Sequence, residues 1–400
     1  MSAEPEVVLD LSRLLSRVLH PTPTGVDRVE MAYARGLLSA IPDRLCFAGV
    51  HPTGLYGRLP RRAVVEFLDT TEHRWQAAGS GIARSLRPAA ARALFQLRPA
   101  PVPRRRAPRL YLQASPNNLT KPDLIRAILR RENARFVCLV HDLIPIQYPE
   151  YARPGGAALH LRRMHTVVDL ADGIVANSHA TLAALQPYLD RAGRTPERRV
   201  AHLGTDDLVR PAPRPVPERP YFVCVGTIEP RKNHLLLLHL WRAMAEARGA
   251  EAIPRLVIVG RRGWENEQVV DMLERCPALV GCVDEYGGLP DAEVQALIAG
   301  ARALLLPSFA EGYGMPVTEA LALGVPVLCS DLPALREAGG AVPTFLDPLD
   351  GPGWRAAIDD LARADSAIAA GQRARLVDWR PTLWAQHIAI LLELLHSLRP

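Results

Sequence analysis

The stretch FAEGYGMPVTEALALGVPVLCSD, Phe309–Asp331, sets two glutamates, Glu311 and Glu319, on either side of a Gly-x-Gly-x-Pro turn in an otherwise apolar segment. The run ARALLLPS before it, ending at Ser308, reads as a short buried strand closed by turn residues. Pro316 suits the first turn of a helix, where its missing N–H costs nothing. Gly324 reads as the helix stop, and VPVLCS after it as the next buried strand. The segment is therefore strand, loop, short helix, strand, with Gly312 and Gly314 in the loop. Free backbone N–H groups and a positive helix end at a strand's carboxyl edge make an anion seat. Carboxylates beside such a seat are not there for the anion. Glu311 on the loop and Glu319, expected in the first helical turn, are assigned instead to hydroxyls of a ribose or a sugar.

Working outward, the same alternation fills the chain. In the first half VVLDLS, RLCFAGV, RLYLQAS, ARFVCLVHD and GIVANS read as strands. Gly25–Ala40, ALHLRRMHTVVDLA and HATLAALQPYL read as helices, the last capped by Ser178. RPAPRPVPERP, residues 210–220, is a semi-rigid proline linker. After it YFVCVGT and PRLVIVG read as strands, and KNHLLLLHLWRAMAEAR, NEQVVDMLERC and DAEVQALIAGA as helices. The fold class is α/β, with two doubly wound Rossmann-like domains facing across a cleft. The expected boundaries are 1–209, the linker 210–220, 221–380, and a C-terminal helix in 381–400 that packs back toward the first domain.

With 400 residues, 48% hydrophobic and 22% charged, the chain has the composition of a globular protein with an ample core. The opening MSAEPEVVLDL lacks a basic start and a long apolar run, so no secretory leader is expected. No apolar run reaches membrane-span length. Six cysteines without CxxC pairing suit a reducing cytoplasm and argue against zinc. Charge is uneven: residues 1–200 hold 29 basic against 17 acidic residues, and residues 201–400 hold 19 against 25. The basic half suggests an anionic surface or partner, with the Arg104–Arg106 triplet as the best contact candidate. Nothing in the chain suggests nucleic acid.

GTIEPRKN, Gly226–Asn233, follows a strand and precedes a helix. Arg231 and Lys232 side by side, a fixed fork and a point charge, suit a diphosphate. Neither this loop nor GYGMPV completes a P-loop or a GxGxxG fingerprint, which argues against a dinucleotide redox enzyme.

GTIEPRKNH together with FAEGYGMPVTEALALGVPVLCSDLPALREAGG resembles the donor half of retaining family 4 glycosyltransferases of the GT-B fold. PTPTGVDRVEMAYARGLL, LVHDLIPIQYPE and ANSHAT resemble the first half of bacterial members that build surface polysaccharides. The resemblance covers residues 6–398 and is weakest at 51–108. It implies transfer of a sugar from a nucleotide diphosphate sugar to a glycan or lipid-linked acceptor, with retention and with neither cofactor nor metal. It also implies roles. Glu319 would hold the ribose, Arg231 and Lys232 the leaving diphosphate, and the backbone at Gly226 and Gly314–Met315–Pro316 the sugar and phosphates. Glu311 would contact the donor sugar near the reacting carbon, His141 would face that sugar, and the Gly25 turn would close on the diphosphate. Thr227 stands where many members have an arginine. GRRGW followed by acids resembles mannosyltransferase members, hence GDP-mannose. No DxD triplet is present, so metal-independent leaving-group stabilisation is expected. Retention through same-face attack is preferred to a glycosyl–enzyme intermediate on Glu311. The rival readings are an epimerase on a similar scaffold and a nucleotide-sugar-binding module without turnover. A phosphorylase is disfavoured, because Lys232 is already assigned and Lys121 lies at a loop-to-helix start. The enzyme is placed in the cytoplasm, with a peripheral position at the inner face of the cell membrane left open.

Overall fold

A computed structural model describes residues 4–77, 86–104, 107–205 and 219–398. Residues 210–218 of the expected proline linker, and Arg105 and Arg106 of the triplet, lie outside them. The chain divides into two compact units. The first takes the chain up to Gln147, Pro154–Gly204 and everything from Thr382 onward; the second takes Tyr148–Arg153 and Thr205–Pro381.

The first unit is built on seven strands: β1 (Val7–Asp10), β2 (Leu45–Val50), β3 (Tyr56–Leu59), β4 (Arg109–Gln113), β5 (Ala134–Val140), β6 (Gly173–Ala176) and β7 (Glu197–Val200). Their order is β3-β2-β1-β4-β5-β6-β7. All neighbours run parallel except β3, which is antiparallel to β2. The second unit has β8 (Tyr221–Val225), β9 (Arg255–Val259), β10 (Val283–Tyr286), β11 (Leu304–Leu306), β12 (Val327–Ser330) and β13 (Thr344–Leu346), in the order β10-β9-β8-β11-β12-β13. Every one of its pairings is parallel. Both orders reverse once, between β1 and β4 and between β8 and β11, the doubly wound arrangement expected. Its central strands are buried apolar runs because helices cover both faces. The antiparallel β3 departs from an all-parallel sheet. It is a four-residue edge strand whose Arg58 points into a buried ion cluster, so it carries no apolar signature.

That cluster lies where β4 and β5 begin. Arg58 forks onto Glu132 (Nε–Oε1 3.0 Å, Nη2–Oε2 2.7 Å), and Arg109 Nε meets Glu6 at 2.7 Å. Each buried charge is paired and hydrogen-bonded, the condition for tolerating it inside.

The last helix, Trp384–Ser397, belongs to the first unit, and glycines let it approach. A Cβ on Gly36 would lie 2.6 Å from Ile388, one on Gly173 2.6 Å from Leu398, and one on Gly204 2.4 Å from the backbone nitrogen of Trp384. Buried His387 ties the helix on both ring nitrogens, to the His202 carbonyl (2.9 Å) and the Tyr33 hydroxyl (2.8 Å). Burial holds its pKa down at about 4, so the ring stays neutral. All six cysteines are unpaired. Among the described residues no helix is long and apolar enough to cross a membrane.

The contact at Gly204 is with backbone, which cannot rotate away. Gly204→Ala is therefore expected to unseat the last helix and lower the melting temperature of the first unit, with faster proteolysis after residue 382. Gly36→Ala, which meets only an isoleucine side chain, should cost less. Equal melting of both variants would show that the seat is not backbone-limited.

Candidate functional site

The switch point of the second sheet puts two loops together. One follows β8 and holds Gly226 to Asn233; the other follows β11 and runs from Pro307 to Gly314. They are joined by backbone and by charge. The Phe309 N–H donates to the Arg231 carbonyl at 2.7 Å, and Arg231 Nη1 donates to the Ala310 carbonyl at 2.9 Å. Glu311 then takes three bonds: from Arg231 Nη1 on Oε2 (2.9 Å), and from Lys232 Nζ (2.5 Å) and Ser308 Oγ (2.7 Å) on Oε1. Arg231 Nε also meets Glu229 Oε1 at 2.6 Å. The side chains of Glu311 and Lys232 are only 8% and 9% exposed.

Burial alone would push the Glu311 carboxyl up. Arg231 and Lys232 overcome it and, with the hydrogen bonds, hold the group down at about 2. Glu229 goes the other way, raised by burial against the pull of the same two cations. Two cations thus face two acids. The sequence reading left Arg231 and Lys232 open for an anion and Glu311 open for sugar hydroxyls; in the structure they are bound to one another. A carboxylate has about four lone-pair sites, so Glu311 retains room for roughly one more donor. His234 opens the next helix, buried, with neither ring nitrogen hydrogen-bonded. Burial, then Lys232 and Arg231, push its pKa down to about 3, so it adds no third charge.

Gly226 and Gly314, the glycines assigned to the donor, are structural requirements. Gly226 has φ +151°, and the space where its Cβ would be is taken by Lys232 Cε at 3.2 Å. Gly314 has φ +112°, and its Cβ would lie 2.5 Å from Leu335. Gly314 is the N-cap of the helix Met315–Ala322, with Pro316 in its first turn, and Gly324 (φ +75°) stops it as expected. Glu319 is the fifth residue of that helix and not in its first turn, because the helix starts one residue before the proline. The helix dipole therefore does not account for its presence. Thr227 sits beneath the neighbouring loop: a Cβ on Gly263 would lie 2.7 Å from its Cγ2.

Gly25 and His141 belong to the first unit. Gly25 is the first helical residue and not a turn glycine. Thr24 does the capping, in a reciprocal box with Asp27. Arg13 clamps that box, with Nε on Asp27 (2.6 Å) and Nη2 on the Thr24 hydroxyl (2.9 Å). His141 Nε2 lies 2.8 Å from the Ala114 carbonyl. A carbonyl can only accept, so Nε2 carries the proton and Nδ1 is an acceptor. Burial lowers the histidine pKa and favours this neutral form. Sequence reading missed a pair beside these residues. Asp10, at the end of β1, is buried and accepts from Ser12 Oγ (2.8 Å) and Tyr111 Oη (2.7 Å). Buried Glu30 accepts from the Leu14 N–H (3.1 Å), and burial, with Asp10 nearby, raises its pKa to about 8. Helical spacing alone put Glu30 on an ordinary amphipathic face, and nothing in it signalled a buried acid.

Residues 206–340 match the family model described as Glycosyl transferases group 1, so this part of the chain carries a domain of that family. O-antigen chain mannosyltransferase B of Escherichia coli is 37% identical over 131 residues, 32% of this chain and 33% of that protein. The serotype-specific mannosyltransferase WbdA of Escherichia coli is 27% identical over 239 residues, 54% of this chain and 28% of that protein. The aligned part thus spans about a third of the length of these relatives. Among solved structures, Anabaena Alr3699/HepE in complex with UDP and glucose superposes with a TM-score of 0.65 at 15% identity, covering 99% of this chain and 100% of that one. That likeness shows the fold, which is GT-B.

Lys232→Ala removes one of the cations that keep Glu311 ionised inside the protein. Breaking such a pair should cost the second unit about 3–5 kcal/mol near neutral pH. Glu311 has a folded pKa below its ordinary value. Its stabilisation is therefore present above about pH 4.5 and fades as pH falls toward about 2. The stability gap between wild type and Lys232→Ala should accordingly narrow below pH 4.5, read by denaturant unfolding. A gap independent of pH would mean that Lys232 acts through packing.

Proposed function

We propose that this chain, with a glycosyl transferases group 1 domain on a GT-B fold, is a retaining glycosyltransferase. It moves a hexose, mannose by preference, from a nucleotide diphosphate sugar to a glycan or lipid-linked glycan in surface polysaccharide synthesis. The observation that carries the reading is the Arg231–Lys232–Glu311 cluster at the sheet's switch point, inside the stretch that matches the family. The two named relatives, both mannosyltransferases, support the choice of mannose.

Departure of a nucleoside diphosphate builds negative charge on the leaving oxygens. Lys232 has three N–H donors and one is bonded to Glu311, so it can turn others on the diphosphate while Glu311 holds it in place. Arg231, gripped by Glu229, Glu311 and the Ala310 carbonyl, supplies a fixed charge that needs no reorganisation. Glu311 anchors these cations and has one remaining acceptor site for a donor-sugar hydroxyl. Both Glu311 oxygens are already engaged, Oε2 by Arg231 and Oε1 by Lys232 and Ser308, which favours same-face attack, the leaving phosphate taking the acceptor's proton. Glu319 accepts from the ribose hydroxyls, and Gly226, Gly314, Met315 and Pro316 bring backbone against the phosphates and sugar. The first unit's candidates stand on their own geometry: Gly25 opens its helix, and His141 keeps Nδ1 as an acceptor. The enzyme needs no cofactor or metal in this scheme.

Transfer from GDP-mannose to an oligomannose acceptor, with the anomeric configuration read by NMR, tests the reaction against epimerisation or binding alone. Glu319→Ala is expected to weaken nucleoside diphosphate binding. Glu311→Gln should lower turnover at least tenfold while leaving that affinity within about threefold, because the amide loses the acceptor charge facing the donor sugar while Arg231 and Lys232 keep theirs for the diphosphate. Activity should survive excess EDTA. Loss that only magnesium or manganese restores would move the leaving-group role to an ion.

The first unit is also read as meeting an anionic bilayer. Residues 73–122 contain ten basic residues and no acidic one. Arg104, the described member of the triplet, is exposed. Each basic residue near such a surface contributes about 1 kcal/mol, screened by salt. Co-sedimentation should be seen with anionic vesicles at low salt and be reduced when Arg104–Arg106 are changed to serine. Equal binding to neutral vesicles would leave a solvated arginine loop.

A further inference from the structure

The segment Tyr148–Arg153 comes from the first half of the sequence but is part of the second unit, where Tyr151 stacks on Phe309 of the loop after β11. Its core is a single 3₁₀ turn, Pro149–Tyr151, closed by the Tyr151 N–H on the Tyr148 carbonyl at 3.0 Å. In a 3₁₀ turn, residues three apart eclipse. Tyr148 therefore lies over Tyr151, with ring centroids 6.0 Å apart and planes 27° from parallel. Tyr151 continues onto Phe309 at 5.5 Å and 10°. Rings in face-to-face register would sit about 3.5–4 Å apart, so these are offset, and each keeps part of a face uncovered. Tyr148 is 40% exposed.

The stair is held from two sides. Trp264 Nε1 donates to the Tyr151 carbonyl at 3.0 Å, and the Arg153 guanidinium covers Trp264 at 4.8 Å from its centroid. At the other end the Phe309 N–H is bonded to the Arg231 carbonyl, and Glu311 follows two residues later. A run of three near-parallel rings is thus fixed to the loop that holds the cations, with its most exposed member farthest from them in the stack.

We propose that Tyr148, Tyr151 and Phe309 form the acceptor subsite, taking the apolar C–H faces of successive sugar rings of a glycan and leading its growing end toward Glu311. The inference rests on the glycosyl-transfer reading and adds a place for the acceptor in the second unit. A stair of several offset treads fits a chain of sugar rings better than one planar base.

The test uses the full chain and α-mannotriose as probe, with binding read by saturation-transfer NMR and GDP affinity by calorimetry. Tyr148→Ala should weaken trisaccharide binding about five- to tenfold and leave GDP affinity and melting temperature unchanged, while Tyr148→Phe should bind like wild type. Parallel loss of GDP would make the stair a base platform and overturn the proposal. Unchanged trisaccharide binding in Tyr148→Ala, or none in wild type, would leave a packing strap and overturn it as well. Trisaccharide binding that depends on Tyr148 without sugar transfer from any donor would count against the transferase reading and leave the glycan subsite standing.

Discussion

Everything at the candidate site depends on one buried carboxylate. Glu311 holds Arg231 and Lys232 from a neighbouring loop, and it stays ionised only because they are there. A carboxylate and an ammonium both withdrawn from water are costly unless each is paired and hydrogen-bonded. That cost binds the loop after β8 to the loop after β11 and fixes where positive charge sits at the sheet's carboxyl edge. Unpaired cations would have to reorganise as an anion arrived. Here the cations are already oriented, and part of their hydration has already been replaced by fixed oxygens.

The fold was legible because its central strands are buried on both faces. Runs such as YFVCV and ALLL have no other plausible place in a protein. The edges were not. Antiparallel β3, with a buried arginine, and three-residue β13 carry too few apolar positions to stand out. Within the site, spacing brought Gly226, Arg231, Lys232, Glu311 and Gly314 to one sheet edge, because each follows a strand that the pattern locates. What spacing does not reveal is which charges pair. Glu229 and Ser308 were in view as letters, but their roles depend on how two loops cross. Glu30 was hidden for a related reason: burial of one helix face does not say which polar residue is carried in with it.

The first unit solves a different problem. It gathers Asp10, Glu30, Tyr111 and Ser12 around the end of β1, with Glu30 protonated at neutral pH by burial and by its neighbour. Burial raises the Asp10 pKa as well, against the hydrogen bonds from Tyr111 and Ser12. Arg13 and Arg17 both pair with Asp27 in the helix cap that begins at Thr24.

The docking of the last helix has a consequence for how the protein is made. The first unit's sheet is complete at Val200, yet the helix that covers part of it begins only at Trp384. A ribosome adding about 5–20 residues per second needs on the order of ten to forty seconds to bridge that gap. Throughout that time the glycine-lined seat on the first unit has no occupant, and the second unit can fold in the interval. The order of synthesis therefore runs against the order of closure. Of the two units, the one that emerges earlier closes later, and a chain that stops before Thr382 would hold a complete second unit and an unfinished first.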